Sequence, residues 1–112
     1  MDISVRKRSQ VQVIQLRGDL RLGEAVDQFG RTAKELLDGG DNRVVVNLGE
    51  VRMIDSSGIG VLMRLLTSSR QLGGNTKLVN PSAFALKTLK LVGVLPLFEI
   101  YEEEEKAVES YS

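Results

Sequence analysis

Val44-Val45-Val46-Asn47-Leu48 is apolar and mostly β-branched at consecutive positions, without alternation. Side chains of a strand point alternately to its two faces, so a run like this is apolar on both and needs cover on both. That argues for a parallel strand at the centre of a sheet, with helices outside it. At 112 residues the chain has the length for one such core and no more, and residues 1–112 are expected to form one domain.

The flanking segments supply the neighbours and the cover. Ile3 and Val5, then Val11, Val13, Ile14 and Leu16, alternate on either side of polar Arg8-Ser9-Gln10, which predicts an opening hairpin. After Gly18-Asp19-Leu20 the period changes. Ala25, Val26, Phe29, Ala33, Leu36 and Leu37 lie on one helical face, and Gly39-Gly40 ends that helix. A second helix is expected to start near Ser57, with Ile59, Leu62, Leu65, Leu66 and Leu72 inside and Gly60, Arg64, Thr67 and Gln71 outside, before Gly73-Gly74 stops it. Lys77 to Asn80 reads as a strand, and Pro81-Ser82 opens a third helix carrying Phe84, Leu86, Leu89 and Val92. Phe98 to Tyr101 completes the sheet. Glu102 to Tyr111 forms a short last helix, its leading acids at the positive helix end and Ala107, Val108 and Tyr111 along its apolar edge. The expected fold is α/β, a small mixed sheet of about five strands with an opening hairpin and then parallel crossovers, packed with about four helices. The order of elements leaves open which face carries which helix.

Absent residue types exclude much chemistry. Without cysteine or histidine there are no disulfides, thiolate nucleophiles, Cys/His zinc sites or Ser-His catalytic pairs. Ser57-Gly58-Ile59-Gly60 lacks the Gly-x-Ser-x-Gly nucleophile elbow, and Gly73-Gly74-Asn75-Thr76-Lys77 lacks the spacing of a phosphate-cradling loop. The chain is therefore expected to be a non-enzyme with no cofactor and no metal site. Met1-Asp2-Ile3-Ser4 opens no apolar leader and no apolar run is long, so a cytoplasmic protein with no membrane partner is expected. Net charge is zero, but six of the fifteen acids fall in the last fourteen residues, leaving a basic body. Only Arg6-Lys7-Arg8 is a real cluster, and with three Phe, two Tyr and no Trp there is little for bases to stack on, so no direct nucleic-acid contact is expected. Isolated charges such as Arg70 and Lys90 read as solvated surface.

The sharpest feature is Met53-Ile54-Asp55-Ser56-Ser57-Gly58-Ile59-Gly60, between the central strand and the second helix. Ser56 or Ser57 is placed to cap that helix by accepting from unpaired N–H groups, an ordinary structural task. Two observations point beyond capping. Gly58 and Gly60 sit in the first turn, where each glycine costs about 1 kcal/mol relative to alanine, and close approach by another backbone or a ligand is one reason to have them there. A helix N-terminus also favours an anion, so a serine phosphate is accommodated without breaking the fold. Such a group adds about −1.5 to −2 charges beside Asp55. A docked partner without a pairing cation would suffer a penalty on the order of 3 kcal/mol, or roughly a hundredfold in affinity. Met63 offers an adaptable apolar contact to such a partner, whereas Met53 reads first as core or edge packing.

Asp55-Ser56-Ser57-Gly58-Ile59-Gly60, preceded by the strand Val44 to Leu48 and its Gly49-Glu50-Val51 extension, resembles the signature of the STAS domain, specifically of the bacterial anti-sigma factor antagonists. The resemblance runs from the opening hairpin to the last helix. It implies that Ser56 is the phosphorylated serine. It also implies two partners in a cycle: an anti-sigma factor that is also a serine kinase, which frees the sigma factor when the unphosphorylated antagonist binds it, and a PPM-type serine phosphatase that restores the antagonist. The contact surface it implies is Asp55, Ser56, Ser57, Gly58, Gly60, Met63 and Arg64, with Asp55 shaping the loop, Ser57 capping, and the two glycines permitting close docking. A non-switching scaffold subunit of a larger assembly, such as a lipid-transport ATPase or a stressosome-like complex, is the alternative. Two positions depart from the family pattern: Arg21 stands where an aspartate is usual after Gly18-Asp19-Leu20, and Asn47 where an aspartate is common in the third strand.

Overall fold

Alternation on either side of Ser9-Gln10 produces β1 (Asp2–Arg8) and β2 (Val11–Arg17), paired antiparallel with Arg8 opposite Val11 in the computed structural model, which describes residues 1–112. Ser9 and Gln10 have φ of 49° and 70°, the left-handed pair that a two-residue turn needs to match strand twist. The chain continues through α1 (Glu24–Asp38), β3 (Arg43–Glu50), α2 (Ser56–Gln71), β4 (Asn75–Val79), α3 (Ala83–Val92), a 3₁₀ turn (Leu95–Leu97), β5 (Ile100–Tyr101) and α4 (Glu104–Glu109). From β2 onward all neighbours are parallel, and the spatial order β1-β2-β3-β4-β5 puts β3 in the middle, as its consecutive valines require.

Alternation along β3 divides the core between two layers. Val44, Val46 and Leu48 join Ile14, Leu16 and Leu78 beneath α1, α2 and α3, where Phe29, Leu62, Leu65 and Leu89 close the main core. Val45 points the other way, with Val11, Val13 and Val79, and is covered by Ala107 and Val108 of α4 together with the half-buried Tyr101 and Tyr111. Three helices thus cover one face and one short helix the other.

A six-residue helix has little apolar surface to hold it, and polar clamps secure α4 at both ends. At its start Glu104 accepts from Arg6 at 2.6 and 2.8 Å, from Arg8 at 2.6 Å and from the Asn47 side-chain amide at 3.1 Å. These donors pull the Glu104 carboxyl down to about 2, the Arg6 hydrogen bonds most strongly, against the desolvation that raises it. Beyond the other end, the Tyr111 hydroxyl lies 2.7 Å from the carbonyl oxygens of both Val44 and Asn75. Its pKa is raised, chiefly by burial, so the hydroxyl stays a donor. Lys77, buried on this face of β4, donates to Ser110 Oγ at 2.7 Å and places its ammonium 4.1 Å from the centre of the Tyr111 ring.

Four details differ from the sequence expectation. Leu72 is exposed, because it follows the last turn of α2 as its C-cap instead of lying on the inner face. In α3 the buried positions are Ala85 and Leu89, an i, i+4 pair, so Phe84 and Val92 turn outward. Phe98 is buried but lies outside the last strand: Leu95-Pro96-Leu97 curls into the 3₁₀ turn, and pairing begins only at Ile100. The last helix starts at Glu104, two residues later than expected.

Candidate functional site

The β3–α2 loop is bonded to the β2–α1 loop. Leu20 N–H donates to the Met53 carbonyl at 2.9 Å and Asp55 N–H to the Leu20 carbonyl at 3.1 Å, an isolated parallel bridge between Leu20 and Ile54. The Asp55 carboxylate then uses both oxygens. Oδ1 accepts from the N–H of Gly58 at 3.0 Å and Oδ2 from the N–H of Leu22 at 2.8 Å. With φ −102° and ψ 179°, Asp55 is extended and serves as the N-cap of α2. Desolvation pushes its pKa up, but the N–H groups of Leu22, Gly58 and Ser57 and the charge of Arg21 outweigh it and hold the carboxyl below its ordinary value.

This arrangement corrects the assignment of the cap. Asp55, not Ser57, accepts the orphan N–H, because only the residue just before the first helical turn has the extended backbone that aims its side chain at the N–H three residues on. Ser56 is the first residue of α2 and is exposed, and its hydroxyl is spared from capping; Ser57 is half-buried.

The two glycines have different reasons. Gly58 is buried, and a Cβ there would lie 2.7 Å from Leu20 Cγ and 3.0 Å from Ile54 Cγ1, so the close approach it permits is internal. Gly60 has nothing within 4 Å of the place its Cβ would take, so it leaves a bare spot on the outer side of the helix. Ser56, Gly60, Arg64 and Thr67 follow one another at three- and four-residue steps along that outer side. Arg64 borders a groove of about 550 Å³ between α1 and α2 with Gly30, Leu37 and Ser68. Met63 is half-buried against the core and faces a shallower depression with Thr67, Arg70 and Leu97. The expected contact residues are thus brought to one end and one side of α2, apart from Gly58, which is enclosed.

The departures from the family pattern have separate consequences. Arg21 stands beside the site: its guanidinium is 3.5 Å from Asp19, which Arg52 also approaches at 3.7 Å, and it contacts Met53 Sδ at 2.6 Å. Asn47 lies on the α4 face of the sheet, and its amide group is occupied by Glu104 and by the N–H of Gly49. Its role is structural, on the face of the sheet opposite α2. What sequence reading missed is Leu22, held by Asp55 and three-quarters exposed beside the site. A leucine followed by glycine in a polar loop is the signal that marks it.

A family model described as STAS domain matches residues 2–107. A protein of Thermotoga neapolitana named as a candidate anti-sigma factor antagonist is 31% identical over 75 residues, which is 67% of this chain and 66% of that protein's length. The corresponding protein of Thermotoga maritima is 32% identical over the same shares. A crystal structure of a candidate anti-sigma factor antagonist from Thermotoga maritima superposes with a TM-score of 0.90 at 25% identity, covering 97% of this chain and 93% of that one. The anti-sigma factor antagonist SpoIIAA in its unphosphorylated form gives a TM-score of 0.85 at 24% identity over 97% of this chain and 95% of that one, a likeness of fold.

Proposed function

Since this chain belongs to the STAS domain family, we propose that residues 1–112 form one STAS domain acting as an anti-sigma factor antagonist switched by phosphorylation of Ser56. In the unphosphorylated state it binds an anti-sigma factor that is also a serine kinase, and the sigma factor is released. Phosphate on Ser56 ends that binding, and a PPM-type serine phosphatase restores it. The chain is substrate and binder, not catalyst, and works in the cytoplasm; no helix is long and apolar enough to cross a membrane.

The observation that carries this reading is the division of labour between neighbours: Asp55 caps α2, and the adjacent Ser56 hydroxyl is left exposed on the first helical residue. Phosphate there meets the positive helix end, so the fold tolerates it. It also stands beside a carboxylate held ionised by its N–H partners. The partner feels the change as about two added negative charges next to an existing one, at the end of a helix side left bare by Gly60. SpoIIAA, whose fold this chain shares, has been solved in phosphorylated as well as unphosphorylated form.

The test is incubation with ATP and a candidate anti-sigma factor kinase from the same genome, followed by mass spectrometry and a binding titration. Phosphate on Ser56 alone is expected, with Ser56→Ala retaining kinase binding and Ser56→Asp weakening it roughly a hundredfold. Equal binding by both variants would favour a scaffold role instead.

A further inference from the structure

Every charged side chain between Ser56 and Phe98 is a base: Arg64, Arg70, Lys77, Lys87 and Lys90. Lys77 is buried under α4, and the other four are exposed. On α3 the side turned to the sheet is Ala85 and Leu89. At 100° per residue, Phe84, Lys87 and Leu91 therefore share the outward side, with Lys90 at its edge. Phe84 is 49% exposed and Leu91 77%, so this face presents an i, i+7 apolar pair separated by a lysine and covered by nothing.

The opposite side of the sheet has the complementary character. Residues 99–112 hold six acids and the single base Lys106. Glu104 is consumed by Arg6 and Arg8, while Glu102, Glu103, Glu105 and Glu109 are exposed. Ala107 and Val108 face the sheet, leaving Glu105 and Glu109, one helical turn apart, on the far side of α4, with Lys106 beside them 3.9 Å from Glu109. The helices α3 and α4 thus present surfaces of opposite sign on opposite faces of the sheet.

We propose that the outward face of α3 docks on the acidic α4 face of a second copy of this chain, in a head-to-tail contact distinct from the Ser56 site. The two surfaces differ and lie on opposite sides of the sheet, so pairing two copies leaves one of each unfilled and the contact propagates as an open stack. Its attraction is mainly between exposed charges and is therefore screened by salt.

Sedimentation equilibrium at low ionic strength and again in about 0.5 M salt, where the screening length is only a few ångströms, tests this. Two double variants accompany the wild type, Lys87→Glu with Lys90→Glu and Glu105→Lys with Glu109→Lys. All four positions are exposed, and circular dichroism verifies that the fold is kept. The wild type is expected to exceed its 12.3 kDa monomer mass with rising concentration in low salt and to return to it in high salt. Each variant alone is expected to stay monomeric, since both its faces then carry one sign, and an equimolar mixture of the two is expected to associate. A wild type that remains monomeric in low salt would overturn the proposal, as would association unaffected by either reversal or a mixture that stays monomeric. So would a monomeric wild type that sediments with phosphatidylglycerol vesicles through Lys87 and Lys90, an outcome that assigns the α3 face to a lipid surface.

Discussion

Leu20 occupies the space that a side chain at residue 58 would need: a Cβ on Gly58 would stand 2.7 Å from Leu20 Cγ. Leu20 is fully buried, and its backbone is hydrogen-bonded to Met53 and Asp55, so it has little room to retreat. Gly58→Ala is therefore expected to lower stability by about 1–2 kcal/mol, overpacking outweighing the helix-propensity gain of about 1 kcal/mol. Gly60→Ala, with open space around the new methyl, is expected to raise stability by about 0.5–1 kcal/mol. Urea denaturation of the two variants side by side checks both signs. If Gly60 is bare so that a partner can approach, the stabilised variant will also bind more weakly.

Asp55 joins two loops and a helix through one carboxylate. Asp55→Ala removes the acceptor of both Gly58 and Leu22 and is expected to cost about 2 kcal/mol, from the lost cap and the lost loop bond. Asp55→Asn keeps one acceptor oxygen and is expected to lose about half as much. The folded-state pKa of Asp55 lies below its ordinary 3.8, so its stabilisation is complete above that value and is lost as pH falls through the folded-state pKa. Acid titration of stability should therefore be shallower in the Asn variant than in the wild type.

Glu104 gives a second acid-sensitive element on the other face. With its carboxyl pulled from 4.5 to about 2, the ionised form is favoured in the folded state. The associated stability is present above about pH 4.5 and disappears between there and about pH 2. Allowing for solvent screening of Arg6 and Arg8, a loss of about 2 kcal/mol is expected for Glu104→Gln at neutral pH, and a much smaller one near pH 2. Amide exchange of Ala107 and Val108 measured across this range reports whether α4 loosens first.

Asn47→Asp restores the residue type usual in the family and is nevertheless expected to destabilise this chain. The Asn47 amide donates to Glu104 Oε1 at 3.1 Å, and a carboxylate would replace that donor with a like charge. The expected effect is about 1–2 kcal/mol at pH 7 and a Glu104 pKa moved upward, readable by NMR titration. Pairing Asn47→Asp with Glu104→Gln should recover most of the loss, as a double-mutant cycle would show.

Much of the architecture was legible in the sequence because the signals are local. Consecutive apolar Val44, Val45 and Val46 demand two covered faces, and alternation around Ser9-Gln10 demands a hairpin whatever lies beyond them. A serine at the start of α2 was legible for the same kind of reason, since a strand, an Asp-Ser-Ser string and a helical period follow within a few residues, whereas the choice of Ser56 over Ser57 rested on the resemblance to the family. The capping residue was not, because Asp55, Ser56 and Ser57 can all cap a helix and only the backbone angle at position 55 selects among them. Nor was the rotation of α3: Phe84 and Leu89 both suit a buried face by composition, and the close fit of Ala85 and Leu89 on the core chose between them.

The sequence by itself determined the order of elements, the central strand and the placement of a serine at the start of α2, because periodicity and turn chemistry act within a few residues. Tertiary structure alone decided that Gly58 exists for Leu20, that Asn47 serves Glu104, and that basic α3 and acidic α4 lie on opposite sides of one sheet. Those relationships join residues tens of positions apart, and no local pattern records a distance that only the packed chain creates.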